Sequence, residues 1–185
     1  PDESRELTIV TAISGTGLEG AAKNLAAEAP HNNFDLYRAA TQEKWNRELG
    51  CIEISGSTQE ERICFYTALY HTKIAPTLYC DTDGTYRGAD GKSHTAQGWN
   101  NYSTFSLWDT YRAEHPFLML MKPEQARDMA MSMIRHQQQS VHGLLPIWSH
   151  MANDNWCMSG YHAASVLADA IAKGADIDKK EALKA

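Results

Sequence analysis

The sequence predicts a mainly α-helical protein, and three segments carry that prediction. Each places large apolar or aromatic side chains three or four residues apart, which is the spacing of a single helix face. These segments begin near Phe34, Ile63 and Pro123. The β-branched residues that favour strands are instead found in short runs, such as ELTIVTAIS at residues 6–14.

The composition is that of a folded domain without a nucleic-acid or membrane signature. The 185 residues are 43% hydrophobic and carry a formal net charge of −6. Lysine and arginine are scattered, so the basic patch of a nucleic-acid-binding protein is missing. No apolar run approaches the roughly 18 residues of a membrane span, and the first residues lack the pattern of a signal peptide. We therefore expect a soluble protein that does not bind nucleic acid.

The cysteines and histidines do not indicate a metal site. Four cysteines occur at irregular spacing, without a C-x-x-C pair: Cys51, Cys64, Cys80 and Cys157. We expect them to be buried free thiols rather than zinc ligands or a disulfide framework. The eight histidines include no H-E-x-x-H pattern, so a zinc site is not predicted.

The first elements are predicted to be a strand, a turn and a helix. Residues 6–14 read as the strand and residues 21–29 as the helix. Between them Gly15, Gly17 and Gly20 spell G-x-G-x-x-G, the pattern of a dinucleotide-binding turn. That fold also needs a second strand that ends in an acidic residue about 20 positions on, whereas the sequence there continues as a helix. A glycine-rich turn is the favoured interpretation, with nucleotide binding as the alternative.

Two helices follow. The first is predicted over Phe34–Leu49, where one face carries the large rings, and Gly50 is placed to end it. Ser57 and Thr58 are each followed three residues later by a glutamate, Glu60 and Glu61, which is the pattern of a capping box and predicts the start of the second helix. Both helices are expected to pack through their apolar faces.

Two segments outside these helices carry weaker signals. Residues 51–55, CIEIS, resemble a short strand, and residues 77–101 are rich in the glycine, aspartate, threonine and serine of loops. Loops of that length usually have a function. The sequence Asp-Thr-Asp-Gly at residues 81–84 is interpreted as a turn, with calcium ligation as the alternative.

Further helices are predicted in the second half of the chain. They lie around residues 107–113, over residues 123–139 and over residues 158–173. Two methionines at helical spacing in the second of these, Met129 and Met133, are expected to fill the core.

Tryptophans and carboxylates gather at the predicted helix starts and loops. Sugar rings stack their apolar faces on aromatic side chains, while their hydroxyl groups need acceptors such as aspartate and forked donors such as arginine. The stretch TFSLWDTYRAEHP, residues 104–116, combines these residue types most densely. A carbohydrate site is therefore one interpretation of the sequence.

Three longer runs make that interpretation specific. They are FYTALYHTKIAPTLYCDTDGTYRGADG, NYSTFSLWDTYRAEHP and LLPIWSHMANDNWCMSGYHAASVLADAIAKG. In order and spacing they resemble glycoside hydrolase family 92, a family of exo-acting α-mannosidases. The resemblance implies the opening part of an (α/α)6 barrel, preceded by a terminal strand of a β-sandwich and a linker helix. It divides the chain into the end of the sandwich at residues 1–30, the linker at residues 31–56 and the first part of the barrel at residues 57–185.

The resemblance also implies a chemistry. Family 92 enzymes invert the anomeric configuration, require calcium, and remove terminal mannose from substrates such as mannan or N-glycans; an α-1,2 preference and a secreted or periplasmic location are expected here. Inversion needs one carboxylic acid and one carboxylate. The family motifs for both are expected C-terminal to residue 185, so the chain is interpreted as a fragment that has no catalytic residue of its own. A non-catalytic carbohydrate-binding module is the alternative.

Eight residues are implied to bind the sugar: Trp108, Asp109, Thr110, Arg112, Asn153, Asp154, Trp156 and Cys157. Trp108 and Asp109 are expected to face the −1 subsite, with Arg112 bracing nearby carboxylates. An internal ion-pair network at a helix end is the alternative for this group. Asp154 stands where the family tends to carry glutamate, which predicts a carboxylate drawn back from the substrate.

Overall fold

The computed structural model describes residues 7–185, and the helices dominate it. The helices are α1 Leu18–Glu28, α2 Phe34–Leu49, α3 Gln59–His71, α4 Leu107–Thr110, α5 Glu114–Met121, α6 Pro123–Gln139, α7 His162–Ala172 and α8 Lys179–Lys184. The strands are β1 Thr77–Leu78, β2 Thr85–Arg87, β3 Ser93–Thr95 and β4 Tyr102–Ser103. The prediction of a mainly α protein is confirmed.

The predicted helix starts are confirmed at α2, α3 and α6. The side chain of Asn33 caps α2 by accepting a hydrogen bond from the amide of Leu36. Thr58 and Glu61 form the predicted capping box: the Glu61 carboxylate accepts from the Thr58 amide at 2.8 Å, and the Thr58 hydroxyl accepts from the Glu61 amide at 3.2 Å. Pro123 occupies the first turn of α6, where its missing N–H costs nothing.

The core lies where α5, α6 and α7 pack together. Met129, Met133 and Ile134 on α6 are buried to within 1% exposure, which confirms the prediction for the two methionines. Ala130 and Ala163 are buried between the helices, and their short side chains allow α6 and α7 to approach closely. This packed unit is the scaffold that carries α4.

The predicted loop at residues 77–101 contains short strands that the sequence did not indicate. β1 pairs antiparallel with β4, and β2 pairs antiparallel with β3 as a hairpin. Strands of two or three residues are too short to show alternation. Tyr86 in the hairpin is buried and accepts a hydrogen bond from Gln139 of α6 at 2.8 Å, which fixes the hairpin on the helical core.

Two strand predictions are not met. Residues 7–14 and 51–55 form no strand in the structure; Glu6 lies outside the described residues. A strand exists only when its backbone pairs with a neighbour, and β-branched composition alone does not supply one. Within residues 7–185 neither segment is part of a ladder.

The prediction of buried thiols is also wrong for three of the four cysteines. Cys51, Cys64 and Cys157 are exposed, and Cys80 is half-buried. Cys51 and Cys157 lie outside the helices, where no packed face covers them, and Cys64 lies on the exposed side of α3. Burial raises the pKa of the Cys80 thiol, which lowers its reactivity.

The glycine-rich turn before α1 is closed by a carboxylate rather than open to a phosphate. Gly20 is buried, and a Cβ atom there would lie 2.5 Å from Asp81 Oδ2. Ser14 and Thr16 both donate hydrogen bonds to the same oxygen, at 2.7 and 2.6 Å. An acidic group in this place repels a pyrophosphate, so the turn interpretation is favoured over nucleotide binding.

None of the helices formed by the described residues combines the length and the apolar character that crossing a membrane requires.

Candidate functional site

The candidate site is built on the start of α4. The chain leaves the core at Phe105, which is 2% exposed, and turns into the four-residue helix, so that Leu107 points inward while Trp108 and Asp109 face solvent. Trp108 is 40% exposed, an unusual position for so large an apolar ring. Thr110 is half-buried, and its hydroxyl donates to the backbone oxygen of Ser106 at 3.1 Å. Trp108, Asp109 and Arg112 are therefore the predicted site residues of this segment that a ligand can reach.

One of the two oxygens of the Asp109 carboxylate is hydrogen-bonded to the protein. Asp109 Oδ2 accepts a hydrogen bond of 2.5 Å from the Ser106 hydroxyl, and Ser106 Oγ in turn accepts the indole N–H of Trp148 at 2.7 Å. Within residues 7–185, Asp109 Oδ1 has no hydrogen-bond partner. One carboxylate oxygen is thus committed to the protein and the other is available to a sugar hydroxyl.

Arg112 lies against aromatic rings. Its guanidinium carbon is 5.8 Å from the centre of the Trp108 ring and 5.1 Å from that of Tyr111, which itself stacks on His162 at 4.2 Å. Within the described part of the chain, neither Arg112 nor Asp109 forms an ion pair. The ion-pair network considered as an alternative is therefore not formed among these residues, and Arg112 contacts the rings instead of bracing a carboxylate.

The second group of predicted residues lies on a loop at residues 146–158, which contacts the segment before α4 through Trp148 and Ser149. Its organising side chain is Asp154, which is 6% exposed. The Asp154 carboxylate accepts backbone N–H groups from Ile147 at 2.7 Å, Trp148 at 3.2 Å and Trp156 at 2.8 Å. Three amides on one carboxylate fix the loop, and they also fix the position of the Trp148 indole.

The family resemblance implies that Asp154 belongs to the sugar site with its carboxylate drawn back, and in the structure this carboxylate is buried and points inward. Both oxygens are occupied by backbone amides, which leaves the side chain a role in folding the loop. Asn153, Trp156 and Cys157 are exposed on the same loop. Trp156 has a φ of 58°, a strained conformation for a bulky residue, and its ring packs edge-on against His142 at 5.0 Å. The hydrogen bond from the Trp156 amide to Asp154 stabilises this backbone conformation, in which the Trp156 ring is exposed to solvent.

Two titratable groups next to the site face the interior. Burial raises the pKa of Glu114 to about 7 and lowers the pKa of His115 to about 4. Glu114 lines an apolar cavity of about 340 Å³ together with residues of α3, including Phe65 and Leu69, and its Oε1 has no hydrogen-bond partner in the described chain. Because this cavity lies between α3 and α5, the carboxyl is not aimed at the Trp108 surface.

A second concave region, with a volume of about 580 Å³, lies between α2 and α6, and Trp45 is one of the residues that line it. At its edge Glu48 accepts hydrogen bonds from Lys73 at 3.4 Å and from Lys122 at 3.1 Å. Burial raises the pKa of Glu48, but the two ammonium groups outweigh burial and leave it below its ordinary value. Glu48 is thus paired with lysines that follow α3 and precede α6, so its carboxylate is less available to a sugar hydroxyl than that of Asp109.

The aspartates at residues 81–84 are held by donors of the protein itself. Calcium takes six to eight oxygen ligands, whereas no three histidine, cysteine, aspartate or glutamate side chains of residues 7–185 converge as metal ligands would. Asp81 is surrounded by hydroxyl and amide donors, and Asp83 binds Thr85 and Lys23. The segment at residues 81–84 forms the predicted turn, and its two carboxylates are bonded to protein donors.

Sequence reasoning missed one residue of the site, Ser106. A serine in front of a helix indicates an N-cap, and nothing in the sequence shows that its hydroxyl is used elsewhere. The structure brings Trp108, Asp109 and the Trp148 loop together through this hydroxyl.

Comparisons with known proteins agree with this architecture. The family profile described as "Glycosyl hydrolase family 92 catalytic domain" matches residues 20–185. A family GH92 alpha-mannosidase from Bacteroides thetaiotaomicron superposes with a TM-score of 0.87 at 41% sequence identity, over 91% of this chain and 23% of that chain. The same enzyme in complex with mannoimidazole superposes with a TM-score of 0.86 at 40% identity, over 91% and 22% of the two chains.

A second enzyme is similar over the same extent. The family GH92 inverting mannosidase from Bacteroides thetaiotaomicron VPI-5482 superposes with a TM-score of 0.86 at 32% identity, over 93% of this chain and 23% of that chain. The chain therefore spans less than a quarter of the length of these structures. No curated protein sequence matches it. The profile match and the superpositions together show that the chain belongs to glycosyl hydrolase family 92.

Proposed function

We propose that the protein to which this chain contributes is an exo-acting α-mannosidase that hydrolyses terminal mannose with inversion, and that residues 7–185 supply part of its sugar-binding surface. The observation that carries the proposal is the exposed pair Trp108 and Asp109 on a fold that is 41% identical to a family 92 mannosidase. The neighbours named as mannosidases, one of them bound to mannoimidazole, support the substrate class.

Each exposed residue has a defined role in this proposal. The Trp108 ring offers an apolar face for the mannose ring, and Arg112 packs beside it to restrict its orientation. Asp109 Oδ1 accepts from a mannose hydroxyl, since Oδ2 is already bonded to Ser106. Asn153 and Trp156 border the site on the neighbouring loop, and Asp154 acts indirectly by holding that loop.

The chemical step belongs to residues outside this chain. Inversion requires an acid and a base about 6.5 to 9.5 Å apart across the sugar. Among the described carboxyl groups near the site, Asp154 is saturated by amides and Glu114 faces an apolar cavity, so neither is placed to act on a ligand at Trp108. The chain therefore contributes binding and orientation, and the carboxylate pair is expected in the remainder of the catalytic domain.

The finer expectations of the family form part of the proposal. They are an α-1,2 preference, activity on mannan or N-glycans, a secreted or periplasmic location, and a calcium requirement. Calcium in this family is thought to bind sugar hydroxyls and to favour the distorted ring, and no residue described here is assigned as its ligand.

The test is Asp109→Asn in the full-length enzyme. A hydrogen bond to a charged group is worth about 1.5 to 3 kcal/mol, so hydrolysis of an aryl α-mannoside should fall about ten- to a hundredfold while the fold is retained. Asp176→Asn, at an exposed position in the loop before α8, is the matched control and should leave the rate unchanged. Wild-type turnover by a folded Asp109→Asn enzyme would refute the role of Asp109.

The same assays separate the alternatives. A non-catalytic carbohydrate-binding module would bind mannosides without turnover by the wild type. A nucleotide-binding protein would show a thermal shift with NAD. The buried carboxylate of Asp81 beside the glycine turn is an argument against nucleotide binding. An α-mannosidase should lose activity on treatment with a calcium chelator and recover it when calcium is restored.

A further inference from the structure

The hydroxyl of Ser106 occupies the position of a helix cap without acting as one. Ser106 is the N-cap residue of α4, and serine is among the residues that stabilise a helix best at that position. Its side chain nevertheless accepts no hydrogen bond from the backbone of the helix. The hydroxyl is instead used twice by side chains, once by Trp148 and once by Asp109.

The chemistry of the partners fixes the direction of both hydrogen bonds. The indole nitrogen of Trp148 can only donate, so Ser106 Oγ accepts from it. The ionised carboxylate of Asp109 can only accept, so the Ser106 hydrogen points at Oδ2. The Ser106 hydroxyl has one proton, and its hydrogen bonds to Trp148 and Asp109 together allow this hydroxyl group only one orientation. Donation from the indole also polarises the hydroxyl toward the carboxylate.

Asp154 connects this pair of bonds to the loop at residues 146–158. It binds the backbone amide of Trp148, whose indole then reaches Ser106. The buried carboxylate of Asp154 therefore determines the orientation of the exposed Asp109 carboxylate through the side chains of Trp148 and Ser106.

We propose that Ser106 is a positioning residue of the sugar site: with Trp148 it fixes the Asp109 carboxylate so that Oδ1 faces the substrate. This inference rests on the proposed function of Asp109 and extends it to a residue that contacts no sugar itself. Without the hydroxyl, the exposed aspartate can rotate and must be ordered again when the substrate binds.

The test is Ser106→Ala in the full-length enzyme, with mannoimidazole as the binding probe. Loss of the oriented hydrogen bond should weaken mannoimidazole binding about tenfold and raise KM for an aryl α-mannoside by a similar factor. Ser106→Ala also removes the acceptor of the Trp148 indole N–H, so thermal stability should fall modestly, whereas no cap of α4 is lost. A merely structural defect would lower the amount of active enzyme, and hence kcat, without changing KM. Ser165→Ala, at an exposed position on α7, is the control.

The double variant with Asp109→Asn decides whether Ser106 acts through Asp109. In that background Ser106→Ala should cause little further loss of binding, because the carboxylate it orients is absent. An equal loss in both backgrounds, or wild-type affinity of Ser106→Ala while Asp109→Asn is impaired, would overturn the inference and leave the proposed function standing. Wild-type affinity of Asp109→Asn itself would overturn both.

Discussion

Asn24 and Asp81 lie 57 positions apart in the sequence and share a buried hydrogen bond of 2.8 Å from the Asn24 amide to Asp81 Oδ1. The other carboxylate oxygen of Asp81 accepts from Ser14 and Thr16, and Asn24 also accepts from the Thr82 amide at 2.9 Å. This cluster joins α1 to the turn before β2. It also explains why the glycine pattern of a dinucleotide-binding turn occurs here without a nucleotide.

The first prediction concerns Gly20. Gly20→Ala would bring a Cβ atom to 2.5 Å from Asp81 Oδ2 and from Thr16 Oγ1, so the cluster must open. We expect a local destabilisation of about 1 to 3 kcal/mol, measured by hydrogen exchange of the Thr82 amide and the α1 amides in the full-length enzyme. Leu18→Ala, at a fully exposed position on the same helix, is the control. Unchanged exchange at Thr82 would contradict the proposed packing.

How much the sequence could predict depended on the range of the interaction. The bounds of α2 and α6 follow from local signals, namely apolar spacing, Gly50 as the C-cap and Pro123 at the first turn. The Asp81 cluster joins segments far apart in the chain, and no local pattern records it. The carbohydrate site was predictable as a set of residue types, whereas the inward turn of Asp154 and the use of Ser106 depend on tertiary contacts.

The same distinction applies to the helices that were missed. α5 follows α4 after a short turn, and its sequence EHPFLMLM is apolar on most sides, so it lacks the periodicity of a surface helix. Leu118 and Met119 pack into the core formed with α6 and α7, whereas Leu120 is exposed. In contrast, α2 was predicted from its periodicity, yet it has no buried residue among its sixteen.

The second prediction concerns pH. The pKa of Glu114 is raised from 4.5 to about 7 by burial, so the folded state binds this proton more tightly than the unfolded state does. The contribution of Glu114 to the free energy of unfolding should therefore decrease as the pH rises from 4.5 to 7. The neighbouring His115, whose pKa burial lowers from 6.5 to about 4, contributes stability of the opposite sign, which increases as the pH rises from 4 to 6.5. Glu114→Gln removes the contribution of Glu114 and leaves that of His115, so the stability of the variant should increase with pH over this range relative to the wild type, with higher protection of the α5 amides from hydrogen exchange above pH 7. Glu124→Gln, at an exposed position in the first turn of α6, should leave the pH dependence of stability as in the wild type. A Glu114→Gln variant with the pH dependence of the wild type would exclude Glu114 as a source of that dependence.

The third prediction concerns Asp154. Asp154→Ala leaves three backbone amides without an acceptor, each worth about 1 to 3 kcal/mol where it stays buried. The amides of Ile147, Trp148 and Trp156 should exchange faster with solvent. Mannoside affinity should fall as well, because the Trp148 indole is no longer fixed. Asp176→Ala is the matched control, and an Asp154→Ala enzyme that keeps slow exchange at these amides would show that the loop has another anchor.

The fourth prediction concerns Trp108. Trp108→Ala removes the exposed ring next to Asp109 and should raise KM for an aryl α-mannoside, with a loss of about 1 to 3 kcal/mol as found where apolar ring surface is removed from a binding site. Trp108→Phe keeps an aromatic face and should recover part of the affinity. Tryptophan fluorescence of the wild type should change on addition of mannoimidazole. Equal affinities of the alanine variant and the wild type would remove Trp108 from the sugar site.

The fifth prediction concerns residues 1–185 expressed alone. Several large apolar side chains are open to solvent in this chain, among them Phe34 at 71%, Ile63 at 58% and Leu120 at 78% exposure. They lie on α2, α3 and α5, and such faces are normally covered by other elements. Because the similar family 92 structures are more than four times as long, we expect other parts of the whole enzyme to cover these faces.

We therefore expect the isolated chain to aggregate or to remain partly molten, with broad thermal transitions and binding of a hydrophobic dye. It should also show no hydrolysis of an aryl α-mannoside at any calcium concentration, since among residues 7–185 neither Asp154 nor Glu114 is placed as acid or base. Full-length enzyme under the same conditions is the control. A monomeric isolated chain that unfolds cooperatively and hydrolyses the substrate in a calcium-dependent way would contradict both expectations, and it would assign the catalytic carboxylates to this chain, with Asp109 the exposed candidate.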